Sequence, residues 1–174
     1  MMRMLTYSPP KLKPSTASTQ VIDELGQVVC TFKRSYKNIW FRIADVFLDH
    51  QYFVQVDVYS TNGELLYQGK KIPRWGKTQY KVINCKTTER YHITYKSMQV
   101  VVPEFMISSN DGQFIVKREL MDWARFYYNE QEVARWRMKT TELFKTYLQI
   151  EDASPIEDPA FFVCLFQLIF YYGE

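Results

Sequence analysis

The chain has only two histidines, His50 and His92, and three cysteines, Cys30, Cys85 and Cys164. Neither histidine stands at ligand spacing from a second histidine or a cysteine pair, so the clustered donors of a zinc site are missing. The cysteines are odd in number, widely spaced and set among apolar residues. That excludes a disulfide framework and reads as buried free thiols in a reducing, cytoplasmic setting. Glycine is sparse as well. All six glycines fall where turns or element ends are expected, and no GxGxxG or GxxxxGK cradle for phosphates occurs. "SMQVVVP" and its neighbouring serines form no nucleophile elbow. Cys85 and His92 lie across one expected hairpin, and a nucleophile pair would need a strand offset that brings them together. The simpler expectation is a buried thiol and a surface imidazole. No catalytic residue, metal or cofactor is assigned.

Long apolar runs are scarce too. The opening "MMRMLTYSPP" has no sustained apolar stretch and no small-residue cleavage site, so it is not read as a secretory signal. The exception is the tail, "PAFFVCLFQLIFYYGE", where Gln167 is the only residue in 160–172 that is neither apolar nor aromatic. Asp158 suits an N-cap, Pro159 a first helical position and Gly173 a stop. A helix over 159–172 would span roughly 21 Å at about 1.5 Å per residue. That is short of the roughly 30 Å of hydrocarbon in a bilayer, so no transmembrane segment is expected. Phe161, Phe162, Val163, Leu165, Phe166, Leu168, Ile169 and Phe170 go all the way round this helix, and such a helix must be buried on every side.

What the chain does have is aromatics, 17% of residues with 13 Tyr and 12 Phe, which favour strands and large packed areas. Its body reads as successive hairpins. "VIDELGQVVCTFKR" turns at Glu24–Gly26, "FVQVDVYSTNGELLYQGKK" at Asn62–Gly63, and "QYKVINCKTTERYHITYKS" near Lys86–Glu89. "EFMISSNDGQFIVKREL" turns at Asp111–Gly112, "WARFYYNEQEVARWRMK" at Asn129–Gln131, and "FKTYLQIE" adds a strand. In "RWRMK" Trp136 and Met138 share one face and Arg135, Arg137 and Lys139 the other, which is plain inside–outside alternation. "KNIWFRIADVFLDH" departs from the period of two. Ile39, Trp40, Ile43, Val46 and Phe47 fall at helical spacing, predicting a short amphipathic helix near 38–49, although these residue types also suit a strand. A closed antiparallel β-barrel wrapped around the terminal helix accounts for the whole, as one domain over 1–174.

The opening strand with "SPP", the "FKRSYKNIWFRIADVFLD" connector and the "NGELLYQGKK" hairpin resemble the tubby C-terminal-like domain family in its bacterial branch. "RELMDWARFYYNEQEVARW" and "FFVCLFQLIFYYG" complete the resemblance, which covers nearly the whole chain. It is related to LURP-one-related proteins and phospholipid scramblases. The resemblance implies a barrel of about 12 strands around one central helix, and a membrane or phosphoinositide connection. No phosphoinositide-binding, acyl-modified or calcium-binding residue of those relatives has a counterpart in this sequence.

Charge supplies the remaining lead. Residues 1–100 carry 15 Lys/Arg against 7 Asp/Glu, while residues 101–174 carry 7 against 12. In "GKKIPRWGK" Lys70, Lys71, Arg74 and Lys77 bracket Trp75, and "FKRSYKN" adds Lys33, Arg34 and Lys37. Basic residues around an aromatic suit an anionic membrane surface, and they also suit single-stranded nucleic acid, the less expected partner. A filled barrel puts any site on its outer surface or ends. The expected function is a non-enzymatic module binding anionic phospholipid or phosphoinositide-like headgroups, cytoplasmic and peripheral at the membrane. A protein- or nucleic-acid-interaction scaffold is the first alternative, with a protein partner in place of lipid, and a small enzyme the second.

Overall fold

The computed structural model describes residues 2–48, 52–72, 76–96, 103–110, 112–118 and 123–173. Twelve strands run in chain order: β1 (Met2–Tyr7), β2 (Thr19–Asp23), β3 (Val28–Arg34), β4 (Gln55–Tyr59), β5 (Leu65–Ile72) and β6 (Gln79–Asn84). Then come β7 (Arg90–Tyr95), β8 (Glu104–Ser109), β9 (Gly112–Arg118), β10 (Ala124–Tyr128), β11 (Gln131–Lys139) and β12 (Lys145–Glu151). Each pairs antiparallel with its neighbours in sequence, and β1 closes on β12 from Met2↔Glu151 to Tyr7↔Thr146, so no edge remains. Alternation sets the faces. Val56 and Val58 are buried inward on β4, as are Cys30 and Phe32 on β3 and Trp136 on β11. The turns carry the expected chemistry: Gly63 has φ +83°, and Asn129 and Glu130 have φ 47° and 63°, the paired left-handed residues of a tight hairpin.

Strict up-and-down order gives the barrel two unlike ends. Connections after even-numbered strands are short turns and lie together at one end, hereafter the turn end. Connections after odd-numbered strands lie at the other, the loop end, and include 8–18 and the segment 35–54 that carries α1 (Ile39–Phe47).

The interior is filled by the chain's own C-terminus. Asp158 caps α2 (Pro159–Phe166) by accepting from the Ala160 N–H, and the helix continues as a π-helical run, Gln167–Tyr172. Every residue in both pieces is buried. Trp136 stacks on Phe166 and Phe170 at 5.9 and 5.6 Å, and Tyr91 lies 4.6 Å from Phe161. Gln167, the one polar residue of the run, donates to the Tyr7 hydroxyl at 2.9 Å, and that oxygen also accepts from Trp136 Nε1. The helix approaches β5 so closely that a Cβ on Gly69 would stand 2.9 Å from Cys164 Sγ and 3.0 Å from Leu168 Cδ2. Gly173 ends the helical run, as expected. Its φ is −84°, so it is not a left-handed stop. Glycine is needed there because a Cβ would run into the Leu168 carbonyl and the Tyr80 hydroxyl.

Burial pushes the phenols of Tyr7, Tyr67 and Tyr172 well above their ordinary value of 10, and that of Tyr36 up to about 12. A raised folded value contributes stability that is fully present below the unfolded value near 10 and is lost as pH rises past it. Stability should therefore fall above about pH 10. Tyrosinate absorbance should appear together with loss of near-ultraviolet dichroism. Phenols that all titrate near their ordinary value in a barrel that stays folded would contradict this packing.

Candidate functional site at the loop end

The period of two already places Arg34 on the inward side of β3, with Cys30 and Phe32. Its guanidinium is wholly buried and donates to Asp45 Oδ2 at 2.7 Å, to the Lys13 carbonyl at 2.9 Å and to the Phe53 carbonyl at 3.3 Å. It also lies over the Tyr172 ring, 5.4 Å from the centroid. Asp45, equally buried, accepts further from the Phe53 N–H at 3.1 Å and the Tyr36 hydroxyl at 3.0 Å. Arg34 is thus withdrawn from the outer basic surface where the sequence put it. It is an internal post joining β3, the 8–18 connection, α1 and the exit of the central helix. A charge in this position is tolerated because the Asp45 carboxylate and the Lys13 and Phe53 carbonyls meet its two terminal amino groups.

That pair also orients α1. Asn38 caps the helix by accepting from the Phe41 N–H at 3.0 Å, and Phe41 packs edge-on against Phe53 at 4.7 Å. Phe41, Ala44 and Asp45 face the barrel. The expected apolar face, Ile39, Trp40, Ile43, Val46 and Phe47, points outward instead. The structured helix covers Ile39–Phe47, shorter than the predicted 38–49.

Of the other basic candidates, Lys37, Lys70 and Lys71 come together. They line one open pocket of about 610 Å³ with Tyr36, Phe41, Tyr52 and Phe53, between α1 and the start of β4 and end of β5. β3, β4 and β5 are consecutive neighbours in the barrel, which is what joins positions so distant in sequence. Lys70 points out. Lys71 points in, and its Nζ donates to the Gly173 carbonyl at 3.3 Å, placing a cation at the negative end of the central helix. Burial lowers the Lys71 pKa, opposed by Asp45 and reinforced by Lys13. Lys77 is exposed after β5. Lys33 lies on the outer face of β3 over the Tyr59 ring at 5.1 Å, outside the pocket. Arg74 and Trp75 lie outside the described residues.

The two ends differ in charge. Among the described residues of the loop end, Lys11, Lys13, Lys37, Arg42, Lys77 and Lys96 outnumber the acidic Glu104 (paired with Lys96), Glu142 and the buried Asp45. At the turn end Glu24, Glu64, Glu89, Glu130 and Asp152 are accompanied by Lys86 alone among the basic residues of the turns. The sequence signal was the excess of Lys/Arg in the first hundred residues. Only the strand order sorts those charges to one end.

The turn end settles the thiols. Cys30 and Cys164 are buried, but Cys85 is exposed at the β6–β7 turn, contrary to expectation, because the chain leaves the barrel wall there. Partial burial raises the Cys85 pKa, the opposite of an activated thiolate. His92 sits opposite Lys81, four residues before Cys85, an offset of about 13 Å at about 3.3 Å per residue. That is beyond hydrogen-bond reach. Among the described residues no group of three His, Cys, Asp or Glu could hold a metal, and no helix is long and apolar enough to cross a membrane.

A barrel whose interior holds its own helix leaves its surface and ends for recognition, which defines the class: a filled β-barrel rather than a container. The chain belongs to the Tubby C-terminal like domain family, whose model matches residues 5–172. No curated protein and no solved structure matches it.

Proposed function

We propose that the protein is a peripheral membrane-binding module, cytoplasmic in setting, that takes anionic phospholipid headgroups at the loop end of its barrel. The observation that carries this reading is the pocket of about 610 Å³ where Lys37, Lys70 and Lys71 converge beside an aromatic wall. Its size suits a small polar ligand. Ammonium groups supply the donors and charge for a phosphate, and the aromatic wall suits the headgroup level of a bilayer. Each basic residue near an anionic surface contributes about 1 kcal/mol. In this reading Lys77 belongs to the same surface, with Lys33 at its margin.

Co-sedimentation with vesicles of phosphatidylcholine alone, and with added phosphatidylserine or a phosphoinositide, tests it at two salt concentrations. Binding should need the anionic lipid. It should fall steeply with salt, since the Debye length shrinks from about 10 Å at 0.1 M to about 3 Å at 1 M. Lys37→Glu with Lys70→Glu should remove binding at unchanged melting temperature. Lys71 is unsuitable for this test because its contact with Gly173 ties it to the fold. Equal binding to both vesicle types, or none to either, would overturn the reading.

A further inference from the structure

We infer that α1 is an interfacial anchor: on an anionic bilayer, its outward apolar face enters the boundary between headgroups and acyl chains. This rests on the reading of the loop end as the membrane-facing end and adds a hydrophobic contact to it.

The starting observation is that α1 is mounted inside out. A helix on a barrel ordinarily buries its apolar stripe. Here the wholly buried side chain is Asp45, held by Arg34, whereas Ile39, Trp40, Val46 and Phe47 are 59%, 73%, 54% and 83% exposed. Among the described residues this face is left exposed, so docking α1 does not bury its apolar character.

Three further observations select a lipid surface as the occupant. The helix carries Arg42 and is preceded by Lys37, and the Lys37–Lys70–Lys71 pocket opens beside it, so the apolar face is bordered by cations. Leu12 is 72% exposed between Lys11 and Lys13, and the Lys13 carbonyl accepts from the same Arg34 that holds α1, so a second apolar tip with flanking lysines stands near the first. The opposite end of the barrel is acidic, which turns that end away from an anionic surface. Apolar residues rimmed by basic ones at one pole match the chemistry of an anionic leaflet, with fatty chains below and phosphates above. A short amphipathic helix lying in that plane buries its face to a depth of about 5–10 Å.

The test compares the full-length protein with Trp40→Ser, Ile43→Ser and Phe47→Ser combined, on vesicles of phosphatidylcholine and phosphatidylserine. All three positions are exposed, so the melting temperature should stay near that of the parent. Partition should fall on the order of 100-fold in the variant, because much of the apolar contact is gone. Part of the parent's binding should survive high salt, and that part should vanish in the variant. Independently, lipids brominated along the acyl chain should quench the fluorescence component that Trp40→Phe removes. If the parent binds anionic vesicles, the triple variant binds equally, and bromolipid does not quench, then α1 insertion is wrong and headgroup binding stands. No vesicle binding by the parent removes both. A concentration-dependent dimer that the same substitutions dissolve, again without bromolipid quenching, assigns the face to a second copy and overturns the anchor.

Discussion

Leu165→Asp is expected to abolish folding, and Leu165→Ala to cost about 2–5 kcal/mol. Leu165 is wholly buried in the middle of a helix that is itself wholly buried. Its neighbour Cys164 lies against Gly69 of β5, so the barrel wall has no slack on that side. Truncation to Ala leaves a cavity that the surrounding strands cannot close without breaking their register. A carboxylate at the same point would lie within the buried hydrophobic cluster, and desolvation alone would cost several kcal/mol. Deleting 161–172 extends the argument: Trp136, Phe126, Tyr67 and Tyr91 would lose the rings they pack on. Chemical denaturation of Leu165→Ala and the solubility of the truncated chain are the measurements. A truncated chain that is soluble and unfolds cooperatively would show that the helix is an accessory rather than the core.

The sequence made this helix legible because burial on every side leaves a pattern no other context explains. The hairpins were legible for a related reason, since turn residues such as Asn62–Gly63 and those of Asn129–Gln131 fix them locally, while the count of about twelve strands came from the family resemblance. α1 shows where such reading stops. Periodicity identified an apolar face correctly, but it says nothing about which way that face points. The direction was set by two residues outside the pattern, Arg34 and Asp45, whose pairing depends on how β3 ends and how the chain returns to β4. Arg34 illustrates the same limit. Its parity with Cys30 and Phe32 was visible, yet in a run with Lys33 and Lys37 it read as surface charge. The pocket was hidden for a topological reason: Lys37 and Lys70 meet only because β3, β4 and β5 are neighbours in the closed sheet.

Asp45→Ala is expected to destabilise the protein by about 3–5 kcal/mol, the range for removing one member of a buried ion pair. The loss arises less from the missing attraction than from what remains. The Arg34 guanidinium keeps the Lys13 and Phe53 carbonyls but loses its counter-charge, while the Phe53 N–H and Tyr36 hydroxyl lose their acceptor. Arg34→Met should cost a comparable amount by stranding the Asp45 carboxylate. The double variant Arg34→Met with Asp45→Leu should recover much of the loss, because two apolar side chains of similar volume need no compensation. Equilibrium unfolding of Arg34→Met, Asp45→Leu and the double variant measures the coupling. Strictly additive costs would mean that the two residues act independently. The function gives the cycle a second readout. Asp45 holds α1 to the barrel from its inner side, so at temperatures where Asp45→Ala is still folded, α1 should detach and vesicle binding should weaken. In the double variant the fold should recover further than vesicle binding, because Leu at position 45 restores packing but not the bonds to Tyr36 and Phe53 that set the helix's angle.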